Sequence, residues 1–360
     1  MRTMILFLSA VLCLLTGCSG SVSSESAMAS RWEEVAALCR AQPDAAAQEE
    51  ALVEAGLGVA RDVEEDLCYL TTGEAFREFL TQKAGSQEVF DVSAEGILDY
   101  RRFSFQEDTL WVYTFSRALD GSETPVNLAC PVLDYVLSDR GNFYYRVLPQ
   151  GDKHYADYTL LRLEAPEEGL WAMTQTYLSL GSYMGSNLFL SDWSEGHWGE
   201  LAFNDLWESF YYAATGQNAT TDSHAGDGSQ RLFHLPAGEF EAIILPYFDL
   251  DRDTLRALAH YDSATDTYPW RPLIGDDFVE QLLYYRIQPE VTACRNNGNG
   301  TMTLTVDALC TDLARDRLFS HELTVRPLEN GAFQYVSNRV TYLCDVGLPY
   351  CQPRLSWEIS

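Results

Sequence analysis

Between Asp192 and Asp205 the chain gathers its densest mixture of carboxylates and imidazole: Asp192, Glu195, His197, Glu200 and Asp205. Carboxylate oxygens and a neutral imidazole can ligate a metal ion, and a histidine beside carboxylates can equally serve as half of a general acid/base pair. The competing reading is a solvated loop running into a helix, with Glu200 near the positive end of the helix dipole. A lone histidine fixes no ligand count, which makes the loop the simpler account. Trp193 and Trp198 flank the same stretch and would offer a stacking platform for sugars if exposed, whereas Trp207, at helical spacing, belongs to a core.

Asp249, Asp251 and Asp253 have the opening spacing of a calcium loop. The sixth position is Thr254 where glycine is needed, and the twelfth is His260 where glutamate is needed. Capping of a helix that begins near Arg252 explains these aspartates more simply. The sequence holds no G-x-S-x-G, no H-E-x-x-H and no phosphate-cradling glycine loop followed by Lys-Ser/Thr. Its two lysines, Lys83 and Lys153, have Leu80 and Gln150 three residues before them, so S-x-x-K is absent as well. Catalytic groups can still assemble from distant positions.

Several elements must position these groups. From Arg31 to about Ala84 the pattern is helical, with Trp32, Val35, Ala36 and Cys39 on one stripe, a break at Pro43, and a last helix over Gly73 to Lys83. Short aromatic and branched runs then predict strands at Leu110–Arg117, Val132–Leu137, Phe143–Leu148, Tyr158–Glu164 and Leu170–Leu178, separated by turn clusters. Alternation within Leu110–Arg117 places apolar residues on both faces, as expected for a strand covered on each side. Helices are predicted over Gly199–Thr215, Ala237–Tyr247 and Arg252–His260. In the last third, Met302/Leu304/Val306/Ala308 and His321/Leu323/Val325 each alternate with polar neighbours. Asn330-Gly331 offers a two-residue hairpin turn into Phe333–Val340. Strands and helices are segregated, so the fold class is α+β: a helical N-terminal segment, an antiparallel strand-rich middle, central helices and a C-terminal β-meander. This ordering lacks the strand–helix alternation of a transport receptor.

The N-terminus speaks to location. Arg2 precedes an uncharged apolar run, Ile5–Leu15, too short for the roughly 20 residues of a membrane-spanning helix. It reads as the core of a signal peptide over residues 1–17. The following Leu15-Thr16-Gly17-Cys18 resembles the lipobox of bacterial lipoproteins. That resemblance implies diacylglyceryl transfer to Cys18, cleavage before it, and attachment to the outer face of the bacterial cytoplasmic membrane. The serine-rich residues 18–30 then read as a flexible tether.

The net charge of −29 lacks the basic footprint that nucleic acid or anionic headgroups require. Of nine cysteines, Cys13 and Cys18 belong to the signal and lipid, leaving seven, an odd number that cannot all pair. Cys344 and Cys351 bracket a short loop and are the candidate disulfide. No C-x-x-C suggests a zinc cluster, and no cofactor is predicted.

Three stretches, Ser186–Tyr211, Phe240–Arg256 and Ser320–Asn338, resemble an uncharacterised family of Gram-positive bacterial lipoproteins catalogued only as a domain of unknown function. The likeness runs from about Glu50 through the last strand, with the tail after Thr341 outside it. It implies a shared architecture and a surface location, and it carries no catalytic residue. The expected organisation is an α+β domain over 31–215, a polar loop or boundary over 216–230, helices and meander over 231–343, and a cysteine-containing tail over 344–360. The function expected is a non-enzymatic binding or scaffolding component of the envelope, with an envelope protein or glycan as its ligand. The alternative is an extracytoplasmic hydrolase, metal-dependent or glycan-directed, with its site at Asp192–Asp205.

Overall fold

The structure is a computed structural model and describes residues 21–64, 67–147, 157–181, 183, 185–221, 224–227, 231–273, 285–347, 349 and 351–356. The signal peptide and Cys18 lie outside these residues. The described residues form seven α-helices and sixteen strands. The chain divides into two compact units, Met1–Ala165 with Asp312–Ala314, and Pro166–Thr311 with Arg315–Ser360. The division falls at Ala165/Pro166, whereas residues 216–230 lie inside the second unit.

In the first unit, helix α1 (Ser21–Arg40) begins well before Arg31 and takes in most of the stretch expected to be a flexible tether. The apolar stripe explains this: Met28 extends the Trp32/Val35/Ala36/Cys39 face by one turn and is equally buried. Pro43 separates α1 from α2 (Ala45–Glu54), where the Asp44 carboxylate caps the helix by accepting from Ala47 N at 2.9 Å. The expected helical pattern then fails. Residues after Gly58 form strands β1 (Ala60–Glu64) and β2 (Leu67–Leu70), and helix returns only at α3 (Gly73–Gln82). Gly58 shows why: a Cβ there would lie 2.7 Å from Glu88 O, so the chain passes too close to a neighbouring strand to coil as a helix.

Strands β3 (Ser86–Val92), β4 (Ile97–Gln106), β5 (Thr109–Ala118), β6 (Val126–Leu137), β7 (Asn142–Val147) and β8 (Thr159–Arg162) complete an eight-stranded sheet. Its order is β1-β2-β8-β7-β6-β5-β4-β3, antiparallel except between β2 and β8. The two edges meet, because Phe90 N donates to Gly58 O at 2.8 Å and Val59 bridges Phe90 in parallel. The sheet therefore curls into a nearly closed roll. One face packs Val89, Phe103, Val112, Phe143 and Leu161 against Phe76, Phe79 and Leu80 of α3. The other packs Phe90, Leu98, Tyr100 and Phe115 against Trp32 and Val35 of α1. Strand β5 serves both cores, Leu110 and Val112 on one side and Phe115 on the other, as its two-sided apolar alternation predicts.

In the second unit, Leu170–Leu178 is helix and not strand: α4 spans Glu168–Leu178. The aromatic content suggests β-structure, but Leu170, Thr174 and Leu178 recur at four-residue spacing, and Thr174 and Leu178 are buried. The expected meander is present as β13 (Ile287–Asn296), β14 (Met302–Cys310), β15 (Arg315–Pro327) and β16 (Phe333–Leu343), all antiparallel. A two-residue strand, β9 (Trp193–Ser194), adds to its β16 edge. The turn from β15 to β16 is wider than two residues: Leu328 N donates to Ala332 O at 2.8 Å around Asn330 and Gly331, both at positive φ.

Helix α5 (Phe203–Thr215) starts four residues later than expected and ends on Gly216 in the left-handed region. Helix α6 (Ala237–Ile244) runs into a short 3₁₀ turn, Leu245–Tyr247. Asp251 caps α7 (Arg252–Leu258) by accepting from Thr254 N at 2.8 Å, as the capping alternative to a calcium loop predicts. A three-stranded sheet of β10 (Ala225–Asp227), β11 (Leu232–Pro236) and β12 (Thr267–Trp270) was not foreseen, and β10 occupies part of the polar 216–230 stretch. The core of this unit is strongly aromatic, with Trp207, Phe210, Phe240, Phe248, Trp270 and Tyr335 packed beneath Leu304, Val306 and Leu323 of the meander.

Candidate functional site

The segment carrying the predicted acid/base groups is held against β16. Ser194 and Trp193 pair with Ser337 and Asn338, and Glu195 N donates to Val336 O at 2.9 Å. His197 N donates back to Ser194 O at 2.8 Å, closing a tight turn over Gly196, whose positive φ only glycine adopts freely. Further on, the Asn187 side chain clamps the approach to α5, donating to Glu200 O at 2.5 Å and accepting from Ala202 N at 3.1 Å. These bonds present an open cleft of about 610 Å³ lined by Asp192, Ser194, His197, Glu200, Ser337 and Arg339, with Trp193 and Asn338 in its floor.

Three of the five predicted residues therefore share one cleft: Asp192, His197 and Glu200. Asp192 Oδ1 accepts from Val340 N at 2.7 Å, tying the cleft wall to β16. The other two point elsewhere. Glu195 is paired with Arg326, whose Nη2 donates to Oε2 at 2.9 Å. Asp205, in the first turn of α5, is 3% exposed and faces the C-terminal tail. There Arg354 Nε donates to Asp205 Oδ1 at 3.2 Å, its Nη2 to Asp205 O at 2.7 Å, and its Nη1 to Glu208 at 2.5 Å. Burial pushes the Asp205 carboxyl up, although Arg354 pulls it the other way. Among the described residues, no three His, Cys, Asp or Glu side chains are placed to hold a metal ion.

The aromatic platform is not exposed. Trp193 and Trp198 are each 4% accessible and pack against Phe248. Trp193 Nε1 donates to Leu188 O at 2.6 Å. Pairing of β9 with β16 closes the turn over both indoles, a long-range contact with no local signature. The Cys344–Cys351 bridge is likewise not made: Cys351 is a thiol, pushed up to about 12 by burial and by Asp205. Arg354 ties the tail to α5.

Beneath the cleft lies a polar chain whose members show in the sequence only as strand alternation. Asn338 Nδ2 donates to Phe189 O and Ser191 O, each at 2.9 Å, which leaves its Oδ1 as acceptor for His321 Nδ1 at 2.6 Å. His321 Nε2 must then accept from the Tyr183 hydroxyl at 2.8 Å. Burial lowers the His321 imidazole to about 4, against upward pulls from Asn338 and Asp307, and holds the Tyr183 phenol well above its ordinary value. Both groups are neutral at physiological pH. Ser320 donates to Asp307 beside them. With His321 fully buried, this chain braces the loop through Phe189 and Ser191 that forms the cleft wall. Its one sequence signal was a histidine on the apolar parity of a strand.

The fold and cleft define an antiparallel α+β protein of two units, the second carrying a shallow polar cleft on the edge of its meander. The profile of a family of unknown function, DUF6070, matches residues 38–354, and the chain belongs to that family. The match reaches through the tail that was expected to stand outside it, in keeping with the burial of Arg354. No curated protein and no solved structure matches the chain.

Proposed function

We propose that the chain is an exported lipoprotein, anchored through Cys18 to the outer face of the bacterial cytoplasmic membrane, where it binds or scaffolds another envelope component without catalysing a reaction. The observation that carries the anchor is the order Arg2, uncharged Ile5–Leu15, then Leu15-Thr16-Gly17-Cys18. Among the described residues, no helix is long and apolar enough to cross a membrane. The non-catalytic part of the reading is supported by the dispersal of the candidate groups, since Glu195 and Asp205 are each engaged by an arginine.

The test is metabolic labelling with a fatty-acid analogue in a bacterial host, followed by fractionation. Wild-type protein should carry the label and sediment with membranes, and Cys18→Ala should lose the label. Unlabelled wild-type protein in the soluble fraction would refute the anchor. Crosslinking in intact cells should then capture an envelope protein or glycan.

One observation favours the hydrolase alternative: Asp192, His197 and Glu200 line the same cleft as Arg339. If it holds, a substrate panel of glycosides and esters will reveal turnover that His197→Ala lowers by about 10²-fold or more. Equal, background-level rates for both proteins would remove it.

A further inference from the structure

A second cleft, in the first unit, has the makings of a carboxylate-binding site. It measures about 550 Å³ and is lined by Glu33, Arg40, Gln42, Gln48, Arg117 and the Leu119–Gly121 turn. Two guanidiniums converge on it, and both are held by groups other than their counterion. Arg40 Nε donates to Leu119 O at 2.7 Å, and its guanidinium lies 5.5 Å from the Trp32 ring. Arg117 Nη2 reaches Gly121 O at 3.5 Å, and its guanidinium lies 5.9 Å from the same ring. Trp32 is itself fixed, fully buried and donating Nε1 to Leu98 O at 2.8 Å. The arginines are therefore preorganised before any anion arrives, which lowers the entropic cost of binding one.

A single carboxylate already shows what the pair recognises. Glu33 spans the two guanidiniums, Oε2 at 3.0 Å from Arg40 Nη1 and Oε1 at 3.4 Å from Arg117 Nη1. Its side chain is half exposed, and the second contact is long, so it is a displaceable occupant. The other acid in the cleft, Asp120, is turned to its own loop, where it accepts from Ser122 N at 2.8 Å. Two glutamines, Gln42 and Gln48, complete the lining, and a side-chain amide can both donate and accept hydrogen bonds. An incoming ligand with both a carboxylate and an N–H or O–H group would suit the guanidinium donors and the amide acceptors together. The chain's overall negative charge does not forbid this, because charges beyond about 8 Å are largely screened at physiological salt.

We infer that this cleft binds a small carboxylate-bearing ligand that also donates a hydrogen bond, with the ligand's carboxylate replacing that of Glu33 between Arg40 and Arg117. A free amino acid and a peptide C-terminus share this chemistry. The experiment is calorimetric or NMR titration of the full-length protein with alanine, N-acetylalanine, N-acetylalanine amide and inorganic phosphate. N-acetylalanine should bind and its amide should not; binding of alanine as well would assign the site to free amino acids in addition to peptide ends. Glu33→Gln removes the competing carboxylate and should tighten binding roughly threefold to tenfold. Arg40→Gln and Arg117→Gln should each abolish it. A gain of affinity in Glu33→Gln cannot come from misfolding, so that variant decides the matter. Equal binding of the acid and its amide, tighter binding of phosphate than of N-acetylalanine, or no gain in Glu33→Gln would overturn the proposal.

Discussion

His321 sits with no solvent exposure between a phenol and an amide, and its tautomer is dictated by its neighbours. The groups facing it are Tyr183, Asn338 and Asp307. Its folded-state value of about 4 lies below the roughly 6.5 of an unfolded histidine. The unfolded chain therefore binds more protons between those values, so the neutral imidazole's contribution is fully present above about pH 6.5 and is lost as pH falls toward 4. Urea denaturation at pH 7 and pH 4.5 should show wild type losing about 2–3 kcal/mol more across that interval than His321→Gln. Equal losses in the two proteins would mean that His321 is not the acid-sensitive group. Glycines give a second single-residue contrast. A Cβ on Gly73 would stand 1.8 Å from Leu163 O, a backbone atom that cannot turn away, whereas one on Gly238 would meet nothing within 4 Å. Gly73→Ala should cost about 3 kcal/mol, and Gly238→Ala, inside α6, should add about 0.5–1 kcal/mol, both readable from denaturant midpoints.

Among the elements, Arg354 ties the tail to α5. Arg354 is 1% exposed and joins Asp205, Glu208 and the backbone of α5. Removing one partner of a buried pair leaves the other charged and unpaired, so Arg354→Ala should cost about 3–5 kcal/mol. The double variant Asp205→Asn, Arg354→Met should cost less than the single one, because the carboxylate left behind is then only that of Glu208, which is part-exposed and still accepts from Leu273 N. Thermal or chemical unfolding that ranks them the other way would show that the guanidinium's packing outweighs its charge. The same scale explains what could be read from sequence. The meander was legible because Leu304, Val306, Leu323 and Val325 obey a two-residue period on a half-buried sheet. Helix α4 is masked in the sequence because Trp171, Met173 and Tyr177 look like strand residues, although Leu170, Thr174 and Leu178 recur every four residues. Strands β1 and β2 were lost because only a distant neighbour, β3, dictates the close approach at Gly58. In the site, the nearness of Asp192, His197 and Glu200 follows from local sequence, but the cleft's other side, Ser337–Arg339, and the removal of Glu195 by Arg326 and of Asp205 by Arg354 depend on residues more than a hundred positions away.

For the whole molecule, net charge bears on the proposed lipid anchor. The chain has 53 acidic against 24 basic residues, and losing Arg2 with a signal peptide would leave the mature protein more negative still. Such a net charge disfavours anionic headgroups, and under the proposed anchor membrane residence would come from acyl chains, at about 0.8 kcal/mol per buried methylene. Electrostatic repulsion also acts within the fold, opposing compaction, and it is screened by salt. Two measurements on one preparation separate these effects. The melting temperature of Cys18→Ala protein should rise as sodium chloride is increased from low millimolar to physiological levels, because screening relieves the self-repulsion. In flotation assays the same protein should stay off phosphatidylglycerol-rich vesicles at every salt concentration, whereas lipidated wild type should float with neutral and anionic vesicles alike. Binding of the unlipidated variant to anionic vesicles that weakened with salt would reveal a basic surface that the net charge conceals, and it would remove the lipid from its place as sole anchor.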